Sequence, residues 1–182
     1  ALTSTALHKL ELYRNQISSL EDAHLRALTS LTHLDLGRNK LTHVSGHAFS
    51  QCPLLSQLIL SQNKLTEGPS PLHLPNLRSW WLSDNKLKDL DPWAPSSQGS
   101  SSTWPVFLPL LEKLYLQDNQ IESFATYTLA TSPFLSEVDP SFNSIRTFSS
   151  LAGLVYCPRL KVLQLQDNPV DKERGMTSLL HY

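Results

Sequence analysis

Apolar and polar positions alternate in short bursts along this chain, and the bursts recur. Leu10/Leu12, Leu34/Leu36, Leu58/Leu60 and Leu114/Leu116 are leucine pairs separated by one residue, the period of two that gives a strand one buried face. Each pair has an apolar residue three positions before it and an asparagine three positions after it. The full phrase occurs as LHKLELYRNQI from Leu7, LTHLDLGRNKL from Leu31, LSQLILSQNKL from Leu55, LRSWWLSDNKL from Leu77, LEKLYLQDNQI from Leu111, LSEVDPSFNSI from Leu135 and LKVLQLQDNPV from Leu160. Trp80 replaces a leucine in the fourth copy, and Val138 and Pro140 do so in the sixth. Seven short strands are predicted.

The seven asparagines, Asn15, Asn39, Asn63, Asn85, Asn119, Asn143 and Asn168, follow one another at 24, 24, 22, 34, 24 and 25 residues. That length holds a strand, a turn and a return segment, and no such unit can bury its own apolar face. Parallel strands about 4.8 Å apart, with bulkier return segments behind them, stack into a curved sheet. The expected fold class is α/β: a solenoid with a curved parallel sheet on the concave face and short helices, 3-10 turns or irregular segments on the convex face. One domain over 1–182 is expected, with repeats near 7–30, 31–54, 55–76, 77–110, 111–134, 135–159 and 160–170 and a C-terminal cap over 171–182. The asparagines end the strands, where a stacked column of side-chain amides can satisfy backbone groups freed as each coil turns inward. Pro140 removes a backbone donor, so the sixth strand is expected to be distorted or weakly paired.

The phrase resembles the leucine-rich-repeat family, whose LxxLxLxxN(x)L pattern is matched in five copies. The resemblance implies protein binding through concave residues. Finer likenesses point two ways. NPVDKERGMTSLLHY places Met176, Leu179 and Leu180 at helical spacing and resembles the short cap of intracellular members of the phosphatase-regulator and spliceosomal types, although Met176 and Thr177 stand where that cap has Tyr and Arg. HAFSQCPLLSQL from His47, with the dominant period of 24, resembles the convex segment of extracellular and Toll-like repeats. At the other end, Ala1 to Ala6 supply only part of a return segment, so the first repeat is expected to show an apolar edge and the natural chain to be longer.

The 34-residue step contains DPWAPSSQGSSSTWPVFLP, Asp91 to Pro109, read as a loop insert rich in Pro and Ser. It is either a surface excursion anchored by Trp93 and Trp104 or a partner-contacting or phosphorylated loop. Cys52 and Cys157 take the same repeat position four repeats apart, a stacking distance on the order of 19 Å that rules out a disulfide. None of the eight asparagines begins an N-x-S/T sequon. Both features favour a reducing, cytoplasmic compartment, with an extracellular one as the alternative.

A net charge of -1 leaves no overall excess of Lys or Arg for a polyanion, so neither nucleic acid nor an acidic membrane surface is expected as partner. No apolar run of about 18 residues predicts insertion into a membrane. His43/His47 and His8/His33 lack the further ligands a metal site needs, and no phosphate loop or nucleophile motif occurs. The expectation is no catalytic residue, no metal and no cofactor.

The remaining chemistry lies between the leucines. The central concave row runs Glu11, Asp35, Ile59, Trp81, Tyr115, Asp139 and Gln164, and a flanking row runs Arg14, Arg38, Gln62, Asp84, Asp118, Phe142 and Asp167. Three large apolar or aromatic residues side by side, flanked by charges, form an expected interface. The candidate binding residues are therefore Ile59, Trp81, Tyr115, Arg14, Arg38, Asp35 and Asp139. Against this, Trp81 could instead pack on Trp80 or beneath the insert. The expected function is a non-enzymatic protein-binding module, an intracellular scaffold or adaptor, with a fragment of an extracellular recognition receptor as the alternative. The oligomeric state is left open.

Overall fold

The computed structural model describes residues 5–21, 23–69, 72–88, 106–124 and 129–172. Among these, eleven short strands, numbered in chain order, form three parallel sheets. The main sheet has seven: β1 (Lys9–Glu11), β3 (His33–Asp35), β5 (Gln57–Ile59), β7 (Ser79–Trp81), β9 (Lys113–Tyr115), β10 (Glu137–Asp139) and β11 (Val162–Leu163), adjacent in that order. Each strand comes from one copy of the recurring phrase. The register is in phase throughout, so Leu34, Leu58, Trp80, Leu114 and Val138 align in one inward column and are all buried.

That column is the reason the strands pair in parallel. A single repeat exposes its leucines, and only a neighbour in the same register covers them, at roughly 25 cal/mol for each Å² removed from water. Trp80 stands where other copies have leucine, fully enclosed at 0% exposure. In the first repeat Leu10, Leu12 and Ile17 are only partly buried against the core, whereas their counterparts Leu34, Leu36 and Leu41 are buried completely or nearly so. A cavity of about 410 Å³ lined by Leu12, Ile17, Leu20, Leu25 and Leu36 opens beside the first repeat.

The return side has two constructions. In repeats one, two and five a large apolar residue, Leu25, Phe49 or Leu129, is buried three positions before the residue that opens the turn into the next strand. In repeats three and four that segment is a strand instead: β6 (Leu72–His73) pairs with β8 (Val106–Phe107), and His73 stacks on Phe107 at 4.9 Å. A further pair, β2 (Ser19–Leu20) with β4 (His43–Val44), begins the descent of the first two repeats. The 3-10 helices span Gly46–Phe49, Phe148–Tyr156 and Pro169–Lys172. The convex side thus includes short strands beside the expected 3-10 and irregular segments, and no α-helix occurs among the described residues.

This corrects the limits of the insert. Val106 to Pro109 belong to the solenoid: Val106 and Leu108 are buried, and the N–H of Leu111 donates to the carbonyl of Leu108 just as that of Leu77 does to Leu74. The sequence carried the signal, since PVFLPLL from Pro105 repeats the pattern of PLHLPNL from Pro71. The rest of the insert, with Trp93 and Trp104, and the cap residues Met176, Leu179 and Leu180 lie outside the described residues.

Pro140 has a narrower effect than expected. β10 is regular and pairs with β9 over all three residues, but with β11 over two. In five earlier repeats the N–H at this position, of Leu12, Leu36, Leu60, Leu82 and Leu116, donates to the carbonyl of the next strand's last residue. Proline cannot donate, so one ladder bond is missing and the last strand shortens. Cys52 and Cys157 are free thiols, both buried, and burial pushes each up to about 11.

Candidate binding face

The asparagine column forms by a repeated bond set. Asn63 Nδ2 donates to the carbonyls of Leu60 in its own repeat and Leu36 in the repeat before, both at 3.0 Å, while its Oδ1 accepts the N–H of Leu41 at 3.0 Å. The same three contacts recur at Asn39, Asn85, Asn119, Asn143 and Asn168, with Pro140 supplying the carbonyl to Asn143 and Asn168. Asn15, in the first repeat, is exposed and among the described residues bonds only its own repeat, through Leu12 and Tyr13.

The residue before each ladder asparagine adopts a left-handed backbone: Arg14, Arg38, Gln62, Asp84, Asp118, Phe142 and Asp167 have φ between 53° and 57°. None is glycine, and this region disfavours L side chains by about 1–2 kcal/mol each. The reversal is what aims the asparagine amide into the coil, so the ladder bonds offset the strain. The flanking row proposed from the sequence is therefore a row of turn residues with outward side chains. Arg14 and Arg38 are exposed and form no ion pair among the described residues.

The central row is brought together as the spacing predicts, with Glu11, Asp35, Ile59, Trp81, Tyr115 and Asp139 in one register. Ile59, Trp81 and Tyr115 are half-buried. Trp81 packs on Tyr115, ring centres 4.2 Å apart and tilted by 36°, rather than on Trp80, which points into the core. The indole N–H of Trp81 and the hydroxyl of Ser61 have no hydrogen-bond partner among the described residues.

The three acids of the row are engaged within the protein, Glu11 by an exposed ion pair with Lys9 at 2.7 Å. Asp35 accepts the N–H of Gly37 at 2.7 Å, and a side chain at Gly37 would press on that carboxylate and on the Tyr13 ring. Asp139 is buried; it accepts the N–H and hydroxyl of Ser141 and the Nε2 of Gln117, at 3.0, 2.6 and 2.5 Å. Its carboxylate thus holds the face together, which corrects its reading as an open contact residue.

Further side chains on this face were missed in the sequence. The Tyr115 hydroxyl donates to Glu137 Oε1 at 2.9 Å, and Lys113 Nζ pairs with Glu137 Oε2 at 3.1 Å. The Lys113 hydrogen bond holds Glu137 below the ordinary carboxylate range, and the Glu137 bond raises Lys113. Burial, and then the bond to Glu137, raise the Tyr115 phenol. Ser83 donates to Gln117 Oε1 at 2.5 Å, joining Ser83, Gln117, Asp139 and Ser141 across three repeats. Period two carried the signal, since residues two before and two after the central row share its face. Among the described residues no group of three or more His, Cys, Asp or Glu could hold a metal, and no helix is long and apolar enough to cross a membrane.

A family model described as leucine rich repeat matches residues 5–65. The alpha subunit of geranylgeranyl transferase type 2 from Sus scrofa is 34% identical over 99 residues, 54% of this chain and 15% of that protein. Among solved structures, the TLR13–ssRNA13 complex matches with a TM-score of 0.71 and 28% identity over 90% of this chain and 22% of that one. Internalin C2 of Listeria monocytogenes matches with a TM-score of 0.69 and 28% identity over 96% of this chain and 67% of that one. The chain therefore spans only a small part of the transferase subunit and of TLR13. With seven in-register strands, an asparagine ladder along the turns and a family model that matches residues 5–65, the fold of this chain is a leucine-rich-repeat solenoid.

Proposed function

We propose that the chain is a non-enzymatic protein-binding module, an intracellular scaffold or adaptor that holds a segment of a partner protein against its concave face. The observation that carries this reading is the stacked pair Trp81 and Tyr115 beside Ile59. Half-buried rings in a row, with charges on either side, have the composition of an interface centre, and truncating such an anchor commonly costs about 2 kcal/mol or more. The two free, buried cysteines and the absence of a sequon support the cytoplasm.

The test uses the chain and its Trp81→Ala/Tyr115→Ala variant as paired baits, with equal melting confirmed by circular dichroism. Proteins retained from lysate are then titrated against both. The expected result is a partner whose Kd rises at least about 30-fold in the variant. A partner that binds both equally places the site elsewhere and ends this reading.

A recognition-receptor fragment is the second reading. It is supported by the likeness to TLR13, solved in complex with a single-stranded RNA, and by the convex helix Gly46–Phe49 within the segment that resembles Toll-like repeats. Binding of a single-stranded RNA to the same face, lost in the same variant, would favour it over the scaffold.

A further inference from the structure

On repeats four to seven the turn row carries negative charge that no ion pair among the described residues neutralises. Asp84, Asp118 and Asp167 are exposed, fixed in the left-handed turns, and in no ion pair among the described residues. Their backbone N–H groups are not spare: those of Asp84 and Asp118 bind the carbonyls of Gln117 and Ser141, leaving the carboxylates outward. Asp139 adds a buried carboxylate bound by Ser141 and Gln117, which are neutral. Lys113, two residues before Tyr115 on the same strand, is tied to Glu137. Lys86, two residues beyond Asp84, makes no ion pair with it. The arginines of this row, Arg14 and Arg38, stand in repeats one and two.

Asp84 and Asp118 stand on the same two repeats as the Trp81–Tyr115 stack, each three residues beyond its ring. Aromatic faces attract a guanidinium or ammonium group, and adjacent carboxylates add to that attraction. Accepting the concave face as a protein-binding surface, we infer that its occupant is a basic segment, one that sets an arginine or lysine between Trp81/Tyr115 and Asp84/Asp118, next to an apolar side chain on Ile59. Opposite polarity follows at the other end, because Arg38 lies two repeats, on the order of 10 Å, from Asp84. An acidic residue about three positions from the basic one in an extended chain would reach it. Nucleic acid is the disfavoured occupant, since its phosphates would face Asp84, Asp118 and Asp167. Partial burial and then the neighbouring Asp84 and Asp139 raise the Asp118 carboxyl, and a bound cation would offset the repulsion from those two carboxylates.

The test selects a random linear peptide library on the intact chain at about 0.15 M salt and titrates the enriched peptides by fluorescence anisotropy. They are expected to carry Arg or Lys beside Phe, Leu, Trp or Tyr, and to bind Asp84→Asn/Asp118→Asn about tenfold more weakly and with less salt dependence. Asp84→Glu/Asp118→Glu keeps the charge and is expected to retain binding. Enriched peptides that are neutral or acidic, an affinity unchanged in the Asn variant, or a selection that enriches nothing each overturn the inference. Peptides lost with Trp81→Ala/Tyr115→Ala but kept by the Asn variant sink the basic-segment inference alone. Peptides indifferent to both variants sink the concave site with it. A single-stranded poly(U) RNA that competes for the face overturns it in favour of nucleic acid.

Discussion

Trp80 and Trp81 are neighbours on one strand, yet they belong to different regions of the molecule. Trp80 lies in the inward column with Leu58 and Leu114, at 0% exposure. Trp81 faces outward and is half-buried against Tyr115. Around the first, each repeat supplies an apolar side chain in the same place and meets the same neighbours. Around the second, the repeats differ: Asp35 binds a backbone N–H, Ile59 is apolar and half-buried, Tyr115 reaches Glu137, and Asp139 anchors a chain of hydrogen bonds. Stability is carried by what recurs along the solenoid, and what does not recur is set on its outward face.

The largest expected effect divides the two tryptophans. Trp80→Ala empties the centre of the core and is expected to cost about 3–5 kcal/mol, whereas Trp81→Ala loses one side of an aromatic pair and is expected to cost about 1 kcal/mol. Urea unfolding followed by circular dichroism separates them, and equal costs would break the distinction between the faces. Next in size is the ladder. Asn63→Ala leaves the buried N–H of Leu41 without its acceptor and takes one of two amide donors from each of the carbonyls of Leu36 and Leu60, and is expected to cost about 1–3 kcal/mol. Asn15→Ala, at the exposed first rung, should stay within about 0.5 kcal/mol.

The turn row sharpens the comparison at a smaller scale. Gln62 holds φ at 57°, so Gln62→Gly relieves backbone strain while adding freedom to the unfolded chain, for an expected net gain of about 0.5 kcal/mol. Lys64→Gly, two residues on and outside the left-handed region, has only the unfavourable half and is expected to lose about 0.5 kcal/mol. A matched pair of thermal melts decides the sign.

The smallest effects concern charge. Asp118 is raised in the folded state by burial, then by Asp84 and Asp139. Its ionised form therefore takes stability away above the unfolded pKa, and that stability returns as pH falls through the folded value. Asp118→Asn is expected to melt slightly higher at pH 7, by no more than about 0.5 kcal/mol for so exposed a group, and to lose that advantage in acid. Glu137 is lowered by Lys113, so its contribution is present above the unfolded pKa and lost as pH falls through the folded value. Glu137→Gln is expected to show the opposite pH dependence, and melts at neutral and acid pH compare the two directly.

The sequence by itself determined the strands, their order, the inward column and the asparagine ladder. Each depends on residue type at a fixed offset, and each repeat buries its apolar face only by matching the next. It also held the likeness between PVFLPLL and PLHLPNL, legible once the return segments are aligned. Only the tertiary structure decided that Asp139 is enclosed, that Trp81 lies on Tyr115, that Glu137 gathers Lys113 and Tyr115, and that residues as different as Arg14, Gln62 and Phe142 share one left-handed turn. An outward side chain takes its state from neighbours 22 to 34 residues away in sequence, and the turn takes its shape from the ladder bonds rather than from the residue that occupies it.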